Sequence, residues 1–451
     1  MRILPFLAFF FSTFLLFAQS TKIPTLISYE LVKTYTKEAL QQRWKEQGVP
    51  QAVAPVRYSI DVYEIVYRTK WHDGSTIKAS GLYFVPTDST KVEAMPMVCY
   101  HHGTQIKKDR TVRLGGEQAI CVGFAADGYL VARPDYIGLG KGDKKHLYHH
   151  VPTQSGASMD LLRAIKELNP RIKVSQNNLL FATGYSQGGH ATMGFHKTVQ
   201  EQYSEEFKIT ASAPMSGAYD LAGVQEETMF KEYSHPGYLP YLFFSFQEVY
   251  GFYNNISDIL VAPYDTILPP LYKGQHSMGY INRLLPSIPK DVLRPEVVEQ
   301  YLANDDFPFK KALKENSVHD WKPEQPMLLC YCQADEQVSY KNALVAYDKM
   351  KENGSDLVRI KQVNKHLGHR DCAMFAVMHA KMFFDSFRKG SKKGTAGPLG
   401  KRFLIGIGKS SLAKKAKKRR KRRAKVLAAQ KAAKQSNNKK TVQKEDSKNK
   451  G

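Results

Sequence analysis

Gly184-Tyr185-Ser186-Gln187-Gly188 stands between the apolar run Leu179-Leu180-Phe181-Ala182 and a stretch of helical character from His190 to Gln202. A buried strand, an abrupt turn and a helix in that order put a serine on a sharp corner where its hydroxyl stands clear of the backbone. Such a corner crowds the positions two residues to either side. Glycine, which brings no Cβ, is the residue that fits there, and Gly184 and Gly188 meet that demand. The five-residue pattern alone would arise by chance about 0.15 times in a chain of this length. The flanking strand and helix give it weight and make Ser186 the candidate nucleophile.

Working outward, further apolar runs occur at Met95–Tyr100, Tyr129–Ala132, Ile209–Ala213, Met327–Tyr331 and Leu357–Val363, most of them separated by helical patterns such as Ser158–Leu168. Strands alternating with helices predict a mostly parallel sheet covered on both faces. Ahead of them, Tyr58 to Trp71 and Thr76 to Val85 alternate in the β manner around His72-Asp73-Gly74-Ser75, a hairpin signal that predicts an antiparallel edge. About 35 residues separate residue 20 from this expected first strand. Residues 221–322, between two late strands, are rich in aromatics, among them Tyr233, Tyr238, Phe244, Phe246 and Tyr250. They predict a helical cap whose rings mostly form its own core, with a minority left to line a pocket.

The ends of the 451-residue chain differ from its middle. Residues 1–20 carry one charge, at Arg2, then an apolar stretch from Ile3 to Phe17 and a small-residue site at Ala18-Gln19-Ser20, the pattern of a cleaved signal peptide. That stretch, at about 15 residues, is shorter than the roughly 20 a membrane-spanning helix needs. A secreted or periplasmic protein is expected. Residues 391–451 hold 22 Lys or Arg against Glu445 and Asp446, and so carry +20 of the formal +24. This composition predicts a disordered basic tether, separable from the chemistry, that could turn helical on an anionic surface. The remaining residues define a core in two parts, 21–220 and 323–390. Lys414 to Arg423 also matches a nuclear localisation run, against which the signal peptide argues.

Five cysteines permit at most two disulfides. Cys330 and Cys332, on one strand, face the same side too far apart to bridge each other. No paired CxxC and no HExxH occurs, and His101-His102 has no third ligand at a supporting spacing, so neither metal nor cofactor is expected.

A serine hydroxyl needs a base, and the base needs an acid to orient it. Asp335 and Glu336 follow the run at Met327–Tyr331, and His366 and His369 follow the last run, both at the sheet edge where open parallel sheets build their sites. Donors for a developing oxyanion, worth roughly 3 to 4 kcal/mol each, would be the backbone N–H groups of Gln187 and of Thr104.

Tyr100-His101-His102-Gly103-Thr104, Arg133-Pro134-Asp135-Tyr136-x-Gly138-x-Gly140 and Gly184-Tyr185-Ser186-Gln187-Gly188-Gly189-His190 together resemble the secretory lipases and related secreted serine esterases of the α/β-hydrolase superfamily. The resemblance spans roughly residues 55–220 and 323–390. It implies a serine hydrolase acting on small-molecule carboxylic esters, with Ser186, Asp335 and His369 as its triad and a cap between the sixth and seventh strands. Asp335-x-x-Val338 looks like the acid loop of that fold, and Gly-His directly before a helix is its commoner pattern; these favour Asp335 over Glu336 and His369 over His366. Two other readings stand beside it. One is a prolyl-peptidase relative, which would usually carry a large N-terminal propeller. The other is a non-catalytic surface protein whose tail grips polyanions, with no specific nucleic acid implied. Acyl and alcohol preference and oligomeric state stay open.

Overall fold

The computed structural model describes residues 24–87, 93–108 and 112–448; the expected signal peptide, 1–20, lies outside them. Nine strands form one sheet: β1 (Leu26–Tyr35), β2 (Ser59–Lys70), β3 (Thr76–Thr87), β4 (Met95–His101), β5 (Leu130–Pro134), β6 (Gln176–Tyr185), β7 (Ile209–Met215), β8 (Met327–Cys332) and β9 (Val358–Asn364). Their order across the sheet is β1-β2-β3-β5-β4-β6-β7-β8-β9. From β5 to β9 neighbouring strands run parallel, while β1, β2 and β3 pair antiparallel and β3 meets β5 antiparallel. Every residue of β4 is buried, because helices cover both of its faces; a strand in that position reads as an unbroken apolar run.

The helices are α1 (Lys37–Glu46), α2 (Gly116–Ala125), α3 (Val151–Leu168) and α4 (Gln187–Gln202), then, between β7 and β8, α5 (Tyr238–Tyr250), α6 (Tyr264–Leu271), α7 (Met278–Ile281), α8 (Pro295–Ala303) and α9 (Pro308–Glu315). α10 (Lys341–Glu352), α11 (His369–Arg388) and α12 (Leu399–Lys448) complete the chain. Leu40 and Trp44 of α1, Cys121 and Phe124 of α2 and Phe375 and Phe384 of α11 bury one face of the sheet. Leu161 and Ile165 of α3, Phe195 of α4 and Ala346 of α10 pack on the other.

The segment between β7 and β8 has its own core, in which Phe243 and Phe309 stack with ring centroids 4.0 Å apart and Phe246 packs tilted against Phe309.

The sequence reading departs from the structure in two places. The hairpin Tyr58–Val85 is not the sheet's edge: β1 pairs outside it, from Leu26↔Tyr67 to Tyr35↔Ile60, so the sheet begins far earlier in the chain than position 58. β1 escapes notice because, as an edge strand, it leaves Ile27, Tyr29 and Leu31 exposed and buries little beyond Leu26. With that strand added, the cap joins the seventh and eighth strands, where the sixth and seventh were expected.

The second departure is the tail. Instead of a disordered tether from 391, the chain runs as helix from Leu399, and that helix leans on α11. Ile405, Ala413 and Ala416 are buried in the same core as Phe375, with Leu412 packed against it. The reason is a sparse apolar spacing, 405, 412, 413 and 416, that puts one face of a mostly charged helix against α11. Summed composition hides such a stripe. Deleting 399–448 is therefore expected to lower the thermal unfolding midpoint by several degrees, since it uncovers Phe375 and its neighbours. An unchanged midpoint in calorimetry would show that α12 does not contribute to the core.

Candidate active site

The register of the sheet brings three strand ends level: His101 of β4 pairs with Gly184, and Tyr185 of β6 pairs with Met215 of β7. Ser186 follows at once, with φ 63° and ψ −124°, a backbone conformation that non-glycine residues avoid and that persists only when the surroundings enforce it. Its N–H donates to the Met215 carbonyl at 3.0 Å. A Cβ on Gly188 would lie 2.0 Å from the His101 carbonyl oxygen, and one on Gly184 would lie 2.4 Å from the Gly188 carbonyl oxygen. Any side chain at either position would push the turn apart, which is the physical content of the two glycines in the motif.

His369 is the first residue of α11, and its Nδ1 lies 2.7 Å from Asp335 Oδ2. An ionised carboxylate only accepts, so Nδ1 carries the proton and Nε2 is left as an acceptor. The carboxylate is itself oriented, because Asp335 Oδ1 accepts from the N–H groups of Gln337 and Val338 at 3.0 and 2.9 Å. Glu336, the rival acid, accepts instead from the backbone N–H of His369 at 3.1 Å. His366, the rival base, is exposed. Tyr185, next to the serine, donates its hydroxyl to the His369 carbonyl at 2.6 Å and so ties the serine turn to the histidine loop.

Gly103 sits close enough that a Cβ there would be 3.6 Å from Ser186 Cβ, which puts the His102–Thr104 loop beside the serine. Gln187 opens α4, so its N–H has no acceptor within the helix and stands at the positive end of the helix dipole. The Arg133–Tyr136 motif braces this loop from behind: Tyr136 donates to the His102 carbonyl at 3.0 Å, and the Arg133–Asp135 ion pair, 3.1 Å long, is buried. Thr104 and Gly103, with Ser186 and His369, line one groove of about 670 Å³. Gln187 lines a second, smaller cavity of about 50 Å³ that also reaches Ser186, under Tyr233, Tyr238 and Leu242 of the cap segment. Phe244 and Tyr250 line neither cavity; the cap rings at the serine are Tyr233 and Tyr238.

Several supporting residues escape sequence reasoning. Glu117 accepts from the Gly103 N–H with both carboxylate oxygens, at 3.1 and 2.9 Å, and burial raises its pKa. His146 accepts at Nε2 from the Gln187 side-chain amide at 2.8 Å, while its Nδ1 donates to the Ile137 carbonyl. Neither residue sits in a recognisable motif. A disulfide joins Cys332 to Cys372, with Cα atoms 6.1 Å apart. Here the sequence does hold a signal: Cys332 lies three residues before Asp335, and Cys372 three after His369. Arg419 of α12 reaches Asp371 at 3.3 Å and Arg420 bonds the His366 carbonyl, so the tail also touches the histidine loop. Among the described residues no group of three or more His, Cys, Asp or Glu could hold a metal, and His101 and His102 are buried between protein partners.

A model of the secretory lipase family matches residues 101–379. The chain belongs to that family. It is a carboxylic ester hydrolase with the α/β-hydrolase fold. Among solved structures, a Legionella pneumophila protein described as a candidate hydrolase is 27% identical, over 81% of this chain and 98% of that one, with a TM-score of 0.75. The rice cell wall degrading esterase LipA from Xanthomonas oryzae, in a ligand-bound form, is 27% identical over 79% and 95%, with a TM-score of 0.69. Candida antarctica lipase A in its closed state, 15% identical over 87% and 90% with a TM-score of 0.63, shares the fold. A search of curated protein sequences finds no match.

Burial keeps several histidines of this lipase neutral. It pushes the pKa of His101 and His102 from 6.5 down to about 3, and those of His146, His190 and His196 down to about 4. Because folding lowers these values, the unfolded chain binds more protons than the native one as pH falls below 6.5. Their stabilisation is thus complete above pH 6.5 and is lost toward pH 4. Urea midpoints are expected to hold steady from pH 8 to 7 and to fall steadily between 6.5 and 4. A flat profile over that interval would contradict neutral buried imidazoles.

Proposed function

We propose that this lipase is an exported esterase that cleaves its substrates through an acyl-enzyme on Ser186, with His369 as base and Asp335 as the acid that orients it. The carrying observation is the 2.7 Å contact from the buried carboxylate of Asp335 to His369, which shares the wall of one groove with Ser186, whose backbone is strained into the turn. Export is supported by the leader-like residues 1–20 and by the family's secretory character.

In this reading Ser186 Oγ attacks the ester carbonyl carbon while His369 Nε2 takes the hydroxyl proton, and Asp335 stabilises the imidazolium so formed. The negative charge that gathers on the carbonyl oxygen is met by the N–H groups of Gln187 and Thr104. Collapse of the tetrahedral intermediate breaks the ester C–O bond, and His369 returns its proton to the departing alcohol. Water then attacks the acyl-enzyme, His369 again takes a proton, and the carboxylic acid leaves as Ser186 recovers its hydrogen. Glu117 acts through the Gly103 N–H it binds, and His146 through the Gln187 amide; both are positioning residues.

The larger groove suits an acyl chain. Away from Ser186 it is walled by Trp44, Val53, Ile120, Val377 and Met378, an apolar channel between α1, α2 and α11. The smaller cavity under the cap leaves room only for a compact group.

Ser186→Ala is expected to abolish labelling by a fluorophosphonate with an unchanged circular dichroism spectrum, and full labelling would refute the nucleophile. His369→Ala should cut kcat on p-nitrophenyl acetate by about 10³-fold or more, His366→Ala by a few-fold at most; the opposite ranking would reassign the base. For the channel, Val377→Trp should reduce the ratio of p-nitrophenyl decanoate to acetate turnover at least tenfold. An unaltered ratio would place the acyl chain elsewhere.

A further inference from the structure

The first turns of α12 present a second apolar stripe, on the side opposite the one that packs on α11. Leu399, Phe403 and Ile407, spaced four apart along one helical face, are 78%, 69% and 56% exposed, while Ile405 between them is buried. A soluble helix gains nothing by offering a phenylalanine and two branched aliphatics to water on one line. Continued by helical periodicity, that face runs into Lys414, Lys418 and Arg422, all exposed. Between Leu399 and Lys425 the chain has no acidic residue. Apolar residues on the outer face, followed by cations on the same face, are the pattern of a helix lying in the headgroup layer of a bilayer. No helix among the described residues is long and apolar enough to cross a membrane, so the contact is one of lying on the surface.

The position of the helix gives the contact a use. The groove proposed for the acyl chain is also lined by Lys401 and Ile405, which belong to these same turns of α12, and by Met374 of α11, itself exposed. We propose that α12 docks the enzyme on an anionic lipid surface, with Leu399, Phe403 and Ile407 inserted and Lys414, Lys418 and Arg422 on the headgroups, beside the groove that receives the acyl chain. The direction of travel along the groove rests on the ester-hydrolase reading above; the docking itself does not. Charge excludes a second copy as occupant, because two tails of +20 repel. A purely polyanionic partner would engage the cations and leave the apolar stripe unused.

The test uses the full mature chain and sedimentation with vesicles of equal phosphatidylglycerol and phosphatidylcholine. Wild type should bind them, and binding should fall at least tenfold on raising NaCl from 0.05 to 0.5 M or on using phosphatidylcholine alone. Leu399→Ser/Phe403→Ser/Ile407→Ser should weaken binding at least tenfold with p-nitrophenyl acetate turnover unchanged. Should that variant fold poorly, Lys414→Glu/Lys418→Glu/Arg422→Glu should give the same loss. Ser186→Ala should bind as wild type does, so a failed catalytic assignment would leave this result intact. Undiminished binding by either triple variant overturns the proposal, as does wild type that is retained on heparin yet ignores the vesicles.

Discussion

The backbone of Ser186 is the constraint on which the rest of the site depends. Its φ of 63° costs of order 1–3 kcal/mol and survives only where the surroundings over-determine it. Here they do so from three strands. β4 supplies the His101 carbonyl that excludes a side chain at 188, β7 supplies the Met215 carbonyl that accepts from the Ser186 N–H, and β6 delivers the chain at the required register. Each of these is a central strand of a sheet buried on both faces. The strain is therefore held by the most rigid part of the molecule, and the hydroxyl leaves it at a fixed point.

The histidine is held by a different device, because it opens a helix and belongs to no strand of the sheet. Asp335 fixes its ring, Glu336 its backbone N–H and Tyr185 its carbonyl, so that three separate bonds restrict a residue that no strand contains. The Cys332–Cys372 disulfide then clamps the end of β8 to the first turn of α11, on the same two segments that carry Asp335 and His369. Arg419 and Arg420 of α12 approach the loop from outside. In the role of base proposed for it, His369 loosened by an ångström would lose most of its advantage, since proximity contributes only when the reacting groups are aligned. The number of bonds converging on His369 is the physical answer to that demand.

Much of this was legible in the sequence. The central strands, buried on both faces, announce themselves as apolar runs, and the serine motif, the hairpin and the acid and histidine loops follow from local pattern. Three things were not. β1 alternates only over Ile27, Tyr29 and Leu31, a short run that faces water and is interrupted by register shifts on either side, so it does not read as part of a core sheet. α12 carries its packing face in four residues scattered through a cationic segment, and composition averaged over the tail reports only the charge. Glu117 and His146 act through backbone or amide partners that are distant in sequence, Gly103 and Gln187, which only the folded chain brings together. Periodicity reports burial against a broad surface; it is silent about single polar contacts made across loops.

The division between shared and particular parts of the enzyme follows the same line. Residues 101–379, matched by the family, contain Ser186, Asp335, His369, Thr104 and Gln187, together with the strand ends that hold them. The groove is different. Trp44, Val49 and Val53 come from α1 and the chain that follows it, and Lys401 and Ile405 from α12, all outside the matched segment. Chemistry of this type requires donors and acceptors fixed to within tenths of an ångström, which ties it to the sheet. An acyl channel requires only apolar walls of suitable width, and helices added before and after the core can supply them without disturbing the register of β4, β6 and β7. The groove is thus walled in part by the chain's two ends, and α12, within the segment that carries +20 of the charge, adds Lys401 and Ile405 to walls that the matched segment mostly supplies.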